Sequence, residues 1–66
     1  MGVVTGTVKS YDPQTGEGLI VLDGGAEEVL VDRRGSGEVQ LSVGLKVALQ
    51  MIHRPAGVYA LCIRQI

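Results

Sequence analysis

The 66-residue sequence has no tryptophan and no phenylalanine, and its only aromatic side chains beyond His53 are Tyr11 and Tyr59. With 45% hydrophobic residues, a core must be built from valine, leucine and isoleucine, a composition that favours strands over a helical bundle. A single cysteine excludes an internal disulfide. One histidine and one cysteine are too few for a self-contained structural zinc site, which needs four ligands, and no metal or other cofactor is expected. The longest aliphatic run, Leu19 to Leu22, is far too short to span a bilayer, so no membrane association is expected. The chain opens on Met1 without a basic region followed by an apolar one, so no secretory signal is expected and a cytoplasmic location is. The formal net charge is −1, and any attraction to phosphates must therefore be local rather than global. A chain of this length reads as one domain, residues 1–66, burying about 60% of its unfolded surface.

What is present is regular punctuation. Val3 to Tyr11 reads as a first strand, with Val4 and Val8 inward. Asp12-Pro13-Gln14-Thr15-Gly16 carries good turn chemistry: proline presets φ, aspartate bonds its own backbone, and glycine accepts positive φ. Gly18 to Leu22 reads as the second strand, Asp23-Gly24-Gly25 as a hairpin turn, and Val29 to Arg33 as the third strand. Arg34-Gly35-Ser36-Gly37-Glu38 reads as a loop, and residues 39–44 leave room for one short turn. Lys46 to His53 and Val58 to Gln65 complete five strands, with Arg54-Pro55-Ala56-Gly57 between the last two. Helix competes over residues 41–52, where apolar residues are dense, but Gly44 and the β-branched Val43, Val47 and Ile52 favour strand. Five short strands predict an all-β, five-stranded Greek-key barrel of OB type, a small architecture that hides most of its edges.

Three stretches carry a further pattern: Gly6-Thr7-Val8-Lys9-Ser10-Tyr11-Asp12, Thr15-Gly16-Glu17-Gly18-Leu19-Ile20, and Val29-Leu30-Val31-Asp32-Arg33. Together they resemble the first three strands of the cold-shock domain family, whose pattern is G-x-V-K-W-F-N, K-G-F-G-F-I and V-F-V-H-F. Leu41-Ser42-Val43-Gly44-Leu45-Lys46-Val47 is similar to that family's L-x-x-G-x-x-V entry into strand four, so the resemblance covers nearly the whole chain. The glycines, the aliphatic core positions and Lys9 match. Ser10 stands for the tryptophan, Glu17, Leu19, Leu30 and Arg33 stand for phenylalanines, and Asp32 stands for histidine. After the third strand this chain has a shorter, Gly-rich segment where the family has a helical turn and another aromatic.

Residues two apart in a strand share a face. Ile20, Leu22, Val29 and Val31 should therefore point inward, and Leu19, Val21, Leu30 and Asp32 outward. The substitutions fall on the outward set, where the resemblance implies that bases stack. Each base–aromatic stack is worth about 1–3 kcal/mol, so losing four would remove about 4–12 kcal/mol if the contributions added. The resemblance implies a nucleic-acid-binding protein, and the losses predict weak, largely non-sequence-specific binding of single-stranded RNA or DNA. Lys9, Tyr11, Leu19, Leu30, Arg33 and Arg34 are its candidate contacts, with Lys46, His53 and Arg54 as an extended basic edge; Tyr11 is equally a candidate for a core residue at the barrel end. Glu17 and Asp32 place negative charge on the same face. The alternative is a barrel that no longer binds nucleic acid and uses the aliphatic face of Leu19, Val21 and Leu30 for a second copy of the chain or a protein partner. Strand exchange through Gly35-Ser36-Gly37 is a related route.

The remaining polar residues suggest no catalysis, and the chain is not expected to be an enzyme. Cys62 sits in the last strand without a histidine or aspartate placed beside it, and reads as a buried or half-buried thiol. His53 reads as a strand-end surface residue. Glu27 and Glu28 are adjacent, so alternation sends them to opposite faces. Gly16-x-Gly18 lacks the third glycine and the helix of a dinucleotide fingerprint.

Overall fold

The computed structural model describes residues 2–25, 27–36 and 40–66. Five strands, β1 (Val4–Asp12), β2 (Glu17–Leu22), β3 (Glu28–Val31), β4 (Lys46–Arg54) and β5 (Gly57–Gln65), are interrupted by one helical turn, α1 (Arg33–Ser36). They close in the order β1-β2-β3-β5-β4, with β1 also paired to β4. All neighbours run antiparallel except β3 and β5, which meet in parallel at Leu30 and Tyr59. This is the five-stranded barrel of OB type that the strand count predicts, and closure leaves few open edges.

The turns follow from their residues. The backbone N–H of Gln14 donates to Asp12 Oδ1 at 2.9 Å, and that of Gly16 to the Asp12 carbonyl at 2.8 Å, as an aspartate-initiated turn requires. Gly16 has φ of 78°, and a Cβ there would lie 2.8 Å from Arg33 Cβ; the position needs both the positive φ and the missing side chain. Leu45 N–H donates to the Ser42 carbonyl at 3.1 Å, so residues 42–45 form the short turn before β4. The β1–β4 ladder continues through that turn. Val8 N–H donates to the Leu45 carbonyl at 2.9 Å, and Gly44 N–H to the Val8 carbonyl at 2.8 Å.

Val8, Ile20, Val29, Val47, Leu49 and Ala60 are almost wholly enclosed, with Val31, Ile63, Leu41 and Leu22 completing the core. Val4, Tyr11, Leu45 and Val58 pack against it from the rim. Ile20, Leu22, Val29 and Val31 thus face inward, as alternation predicts.

Two strands break alternation, and each does so by the same device. In β1, Val8 pairs with Ile20 and Ser10 with Leu19, so Lys9 is an extra residue. In β5, Ala48 pairs with Arg64 and Gln50 with Leu61, leaving Cys62 and Ile63 together opposite Leu49. Each bulge shifts the strand's phase by one residue. Val8 and Tyr11, three apart, therefore both approach the core, and so do Ala60 and Ile63.

Three expectations are corrected by these features. Cys62 is exposed, not buried or half-buried, because the β5 bulge turns it out with φ of 54°. Arg33 does not continue the third strand: β3 ends at Val31, and Arg33 opens α1. The segment after β3 is not only a Gly-rich loop but begins with that helical turn. The rest of the loop expected over residues 34–38, and with it the Gly35-Ser36-Gly37 exchange hinge, reaches Gly37 and Glu38, which lie outside the described residues. So does Val39, the start of the segment expected to hold the short turn.

Candidate nucleic-acid interface

The cross-strand pairs place one row of side chains across the outer surface. Ser10 on β1 pairs with Leu19 on β2, Leu19 with Leu30 on β3, Leu30 with Tyr59 on β5, and Tyr59 with Ile52 on β4. Directly paired residues share a face. Ser10 is exposed and the other four are half-buried. Val21 lies on the same outer face two residues beyond Leu19, paired with Thr7 and Glu28. Leu19, Val21 and Leu30 are therefore contiguous on the outside. They shelter one another, and among the described residues the exposed large apolar side chains are instead Val3, Val43, Met51 and Ile66.

Tyr59 is the one aromatic ring in this row, and strand patterning of the first three strands does not reveal it. The Arg54 guanidinium carbon lies 4.8 Å from the Tyr59 ring centroid. Arg54 Nη1 also donates to Asp32 Oδ2 at 2.7 Å. Both partners of that ion pair are largely covered, with side-chain exposures of 32% and 26%. The negative charge that Asp32 brings to the outer face is thus matched by a cation in contact with it.

The other candidate residues are distributed unevenly. Lys9, outward next to the inward Val8, donates to Glu28 Oε2 at 2.9 Å; both are well exposed, and such a pair contributes about 0–1 kcal/mol. Tyr11 does not join the outer row. It pairs with Gly18 and packs against the core, where the missing Gly18 side chain makes room for its ring. Arg33 is exposed, and its Nη2 donates to the Gln14 carbonyl at 2.8 Å, tying α1 to the β1–β2 turn. Arg34 is exposed beside it. Lys46 sits elsewhere on the barrel: its Nζ donates to Asp23 Oδ1 at 2.7 Å, and the Thr5 hydroxyl donates to Asp23 Oδ2 at 2.8 Å. Those two hydrogen bonds, Lys46 first, hold the Asp23 carboxyl below its ordinary value of 3.8. His53 is exposed.

The structure thus brings Leu19 and Leu30 together, leaves Lys9 at their border and Arg33 and Arg34 after β3, and removes Tyr11 to the core side. Among the described residues, no three histidine, cysteine, aspartate or glutamate side chains gather into a metal-binding group. No helix among them is long and apolar enough to cross a membrane.

No family model matches the sequence. The chain is similar to the anhydro-N-acetylmuramic acid kinases of two strains of Xanthomonas oryzae pv. oryzae, MAFF 311018 and KACC10331 / KXO85. Each is 34% identical over 64 residues, covering 97% of this chain and 17% of the kinase. The chain therefore spans about one sixth of the length of the curated relatives it matches.

Proposed function

We propose that this barrel is a divergent cold-shock-like module that binds single-stranded nucleic acid weakly and with little sequence preference, and that it binds rather than catalyses. The observation that carries the reading is the outer row. Leu19 and Leu30 occupy positions where the cold-shock pattern has phenylalanine, and they lie side by side facing out. An apolar floor of this kind can take the face of a base, and the guanidinium groups that follow β3, Arg33 and Arg34, can contact phosphate or stack. Lys9 can exchange its exposed carboxylate partner for a phosphate. Among the described residues, Lys9, Lys46 and Arg54 are already paired with carboxylates, which limits the attraction and fits weak binding. Cytoplasmic action belongs to the same reading.

Titration of a labelled oligopyrimidine at low salt tests it. The expected outcome is saturable binding at high micromolar protein that weakens as salt rises, because neutralising phosphates releases counterions. Absence of any salt-sensitive binding would sink the proposal. A second reading draws on the same row: Leu19, Val21 and Leu30 receive another copy of the chain or a protein partner. Sedimentation at high concentration checks self-association, and Leu30→Glu should abolish any dimer held by this face.

A further inference from the structure

The geometry points to Tyr59 and Arg54 as a composite stacking platform for an unpaired base, with Asp32 setting the plane of the guanidinium. This inference rests on the single-strand-binding reading above and names the unit on that face which receives a base. Tyr59 continues the row of Leu19 and Leu30 across the parallel β3–β5 seam. It supplies an aromatic ring from β5 beside the aliphatic side chains of Leu19 and Leu30.

The ring is not bare. Arg54, 4.8 Å above its centroid, covers one face with a flat, delocalised cation. A guanidinium between an aromatic ring below and a base above forms a continuous stack, which an ammonium cannot. Asp32 fixes the rotation of that plane by accepting from Nη1 at 2.7 Å, and it compensates the charge. About a third of the Arg54 side chain remains accessible, which leaves an approach for a ligand. Gly57, paired with Arg54, has no side chain to cover the strip beside it. A Cβ there would come within 3.6 Å of Leu30 Cδ1. Leu30 then offers the adjoining apolar surface for the next base. Nothing in this arrangement reads a donor–acceptor pattern on base edges, so the ligand class is any single strand with accessible bases, RNA or DNA.

The test compares wild type with Arg54→Lys and Tyr59→Leu on a labelled thymidine oligonucleotide of about ten nucleotides and its uridine counterpart. Circular dichroism confirms that each variant folds. Arg54→Lys keeps the charge and loses the plane. It should weaken binding about 5- to 150-fold while leaving the slope of affinity against salt unchanged. Tyr59→Leu should weaken binding over the same range and should abolish the quenching of tyrosine fluorescence that oligonucleotide produces in wild type. If Arg54→Lys and Tyr59→Leu bind as wild type does, the trio only clasps the β3–β5 seam, and the platform is overturned while the binding function stands. If Arg54→Ala lowers the salt slope by about one and Arg54→Lys restores wild-type affinity, Arg54 is a phosphate contact, and the platform is again overturned. If wild type binds neither oligonucleotide at low salt, the single-strand reading itself falls, and the platform with it.

Discussion

At the scale of single residues, two glycines and one aspartate act through what lies across the sheet from them. Gly6 on β1 is buried, and a Cβ there would meet Ile20 Cγ2 and the Val21 carbonyl at 2.7 Å each. One of those neighbours is backbone and cannot swing away. Gly6→Ala should therefore destabilise the barrel by about 1–3 kcal/mol, read as a lower urea midpoint at unchanged m-value. Gly18 is similar, because a side chain there would collide with the Ser10 carbonyl and the Tyr11 ring. Asp23 governs part of the acid response. Its folded pKa lies below the ordinary 3.8, so its contribution is fully present above that value and is lost as pH falls through the folded pKa. Asp23→Asn should flatten the loss of stability at acid pH, measured as the difference in urea midpoint between neutral and strongly acidic buffer; an unchanged difference would assign no role to the Lys46 and Thr5 contacts. The identity of such residues as glycine or aspartate is legible in sequence. What their side chains, or absent side chains, would meet across the sheet is not.

At the scale of elements, the two bulges do most to separate the structure from a strict alternation pattern. Pairing from both sides imposes them. β1 must satisfy β2 and β4 together, and β5 must satisfy β4 while closing on β3, so an extra residue absorbs the mismatch in register. This is why Tyr11, which strict alternation places with Lys9 outside, packs on the core instead, and why Cys62 is exposed. Cys62 at φ of 54° occupies backbone space that β-branched residues avoid. Cys62→Val should cost about 1–2 kcal/mol, whereas Cys62→Gly should leave stability nearly unchanged or raise it; matching urea midpoints for the two variants would contradict the bulge geometry. The native thiol should also react stoichiometrically with a thiol reagent without unfolding. The β3–β5 seam is the sparsest pairing, joined at Leu30 and Tyr59. Amides flanking it should exchange with deuterium faster than those of the β1–β2 and β4–β5 ladders, because fewer hydrogen bonds must break to open it.

At the scale of the whole molecule, a small core sets the margin. Leu49 is fully enclosed at the centre of that core, and truncation to alanine should cost about 2–5 kcal/mol. A domain of 66 residues has a total stability of about 3–10 kcal/mol. Leu49→Ala should therefore remove a large share of the total stability, read as a much lower urea midpoint at unchanged m-value. The outer face is not insulated from this economy. Leu19, Leu30 and Tyr59 cover the seam between strands while presenting their outer surfaces, so substitutions there report on folding as well as on any ligand. Binding and stability must be measured together for these positions.

Five strands, the β1–β2 turn and the inward aliphatic residues of β2 and β3 are legible in the chain alone, because turn chemistry and a two-residue period are local properties. The phase of β1 beyond Val8 and of β5 beyond Ala60, the helical turn at Arg33, and the joining of Leu30, Tyr59, Arg54 and Asp32 on one face arise only in the closed barrel. Those depend on which strands meet when the barrel closes. Register between segments that are distant in the chain is set by the closed sheet, not by any single strand's own pattern.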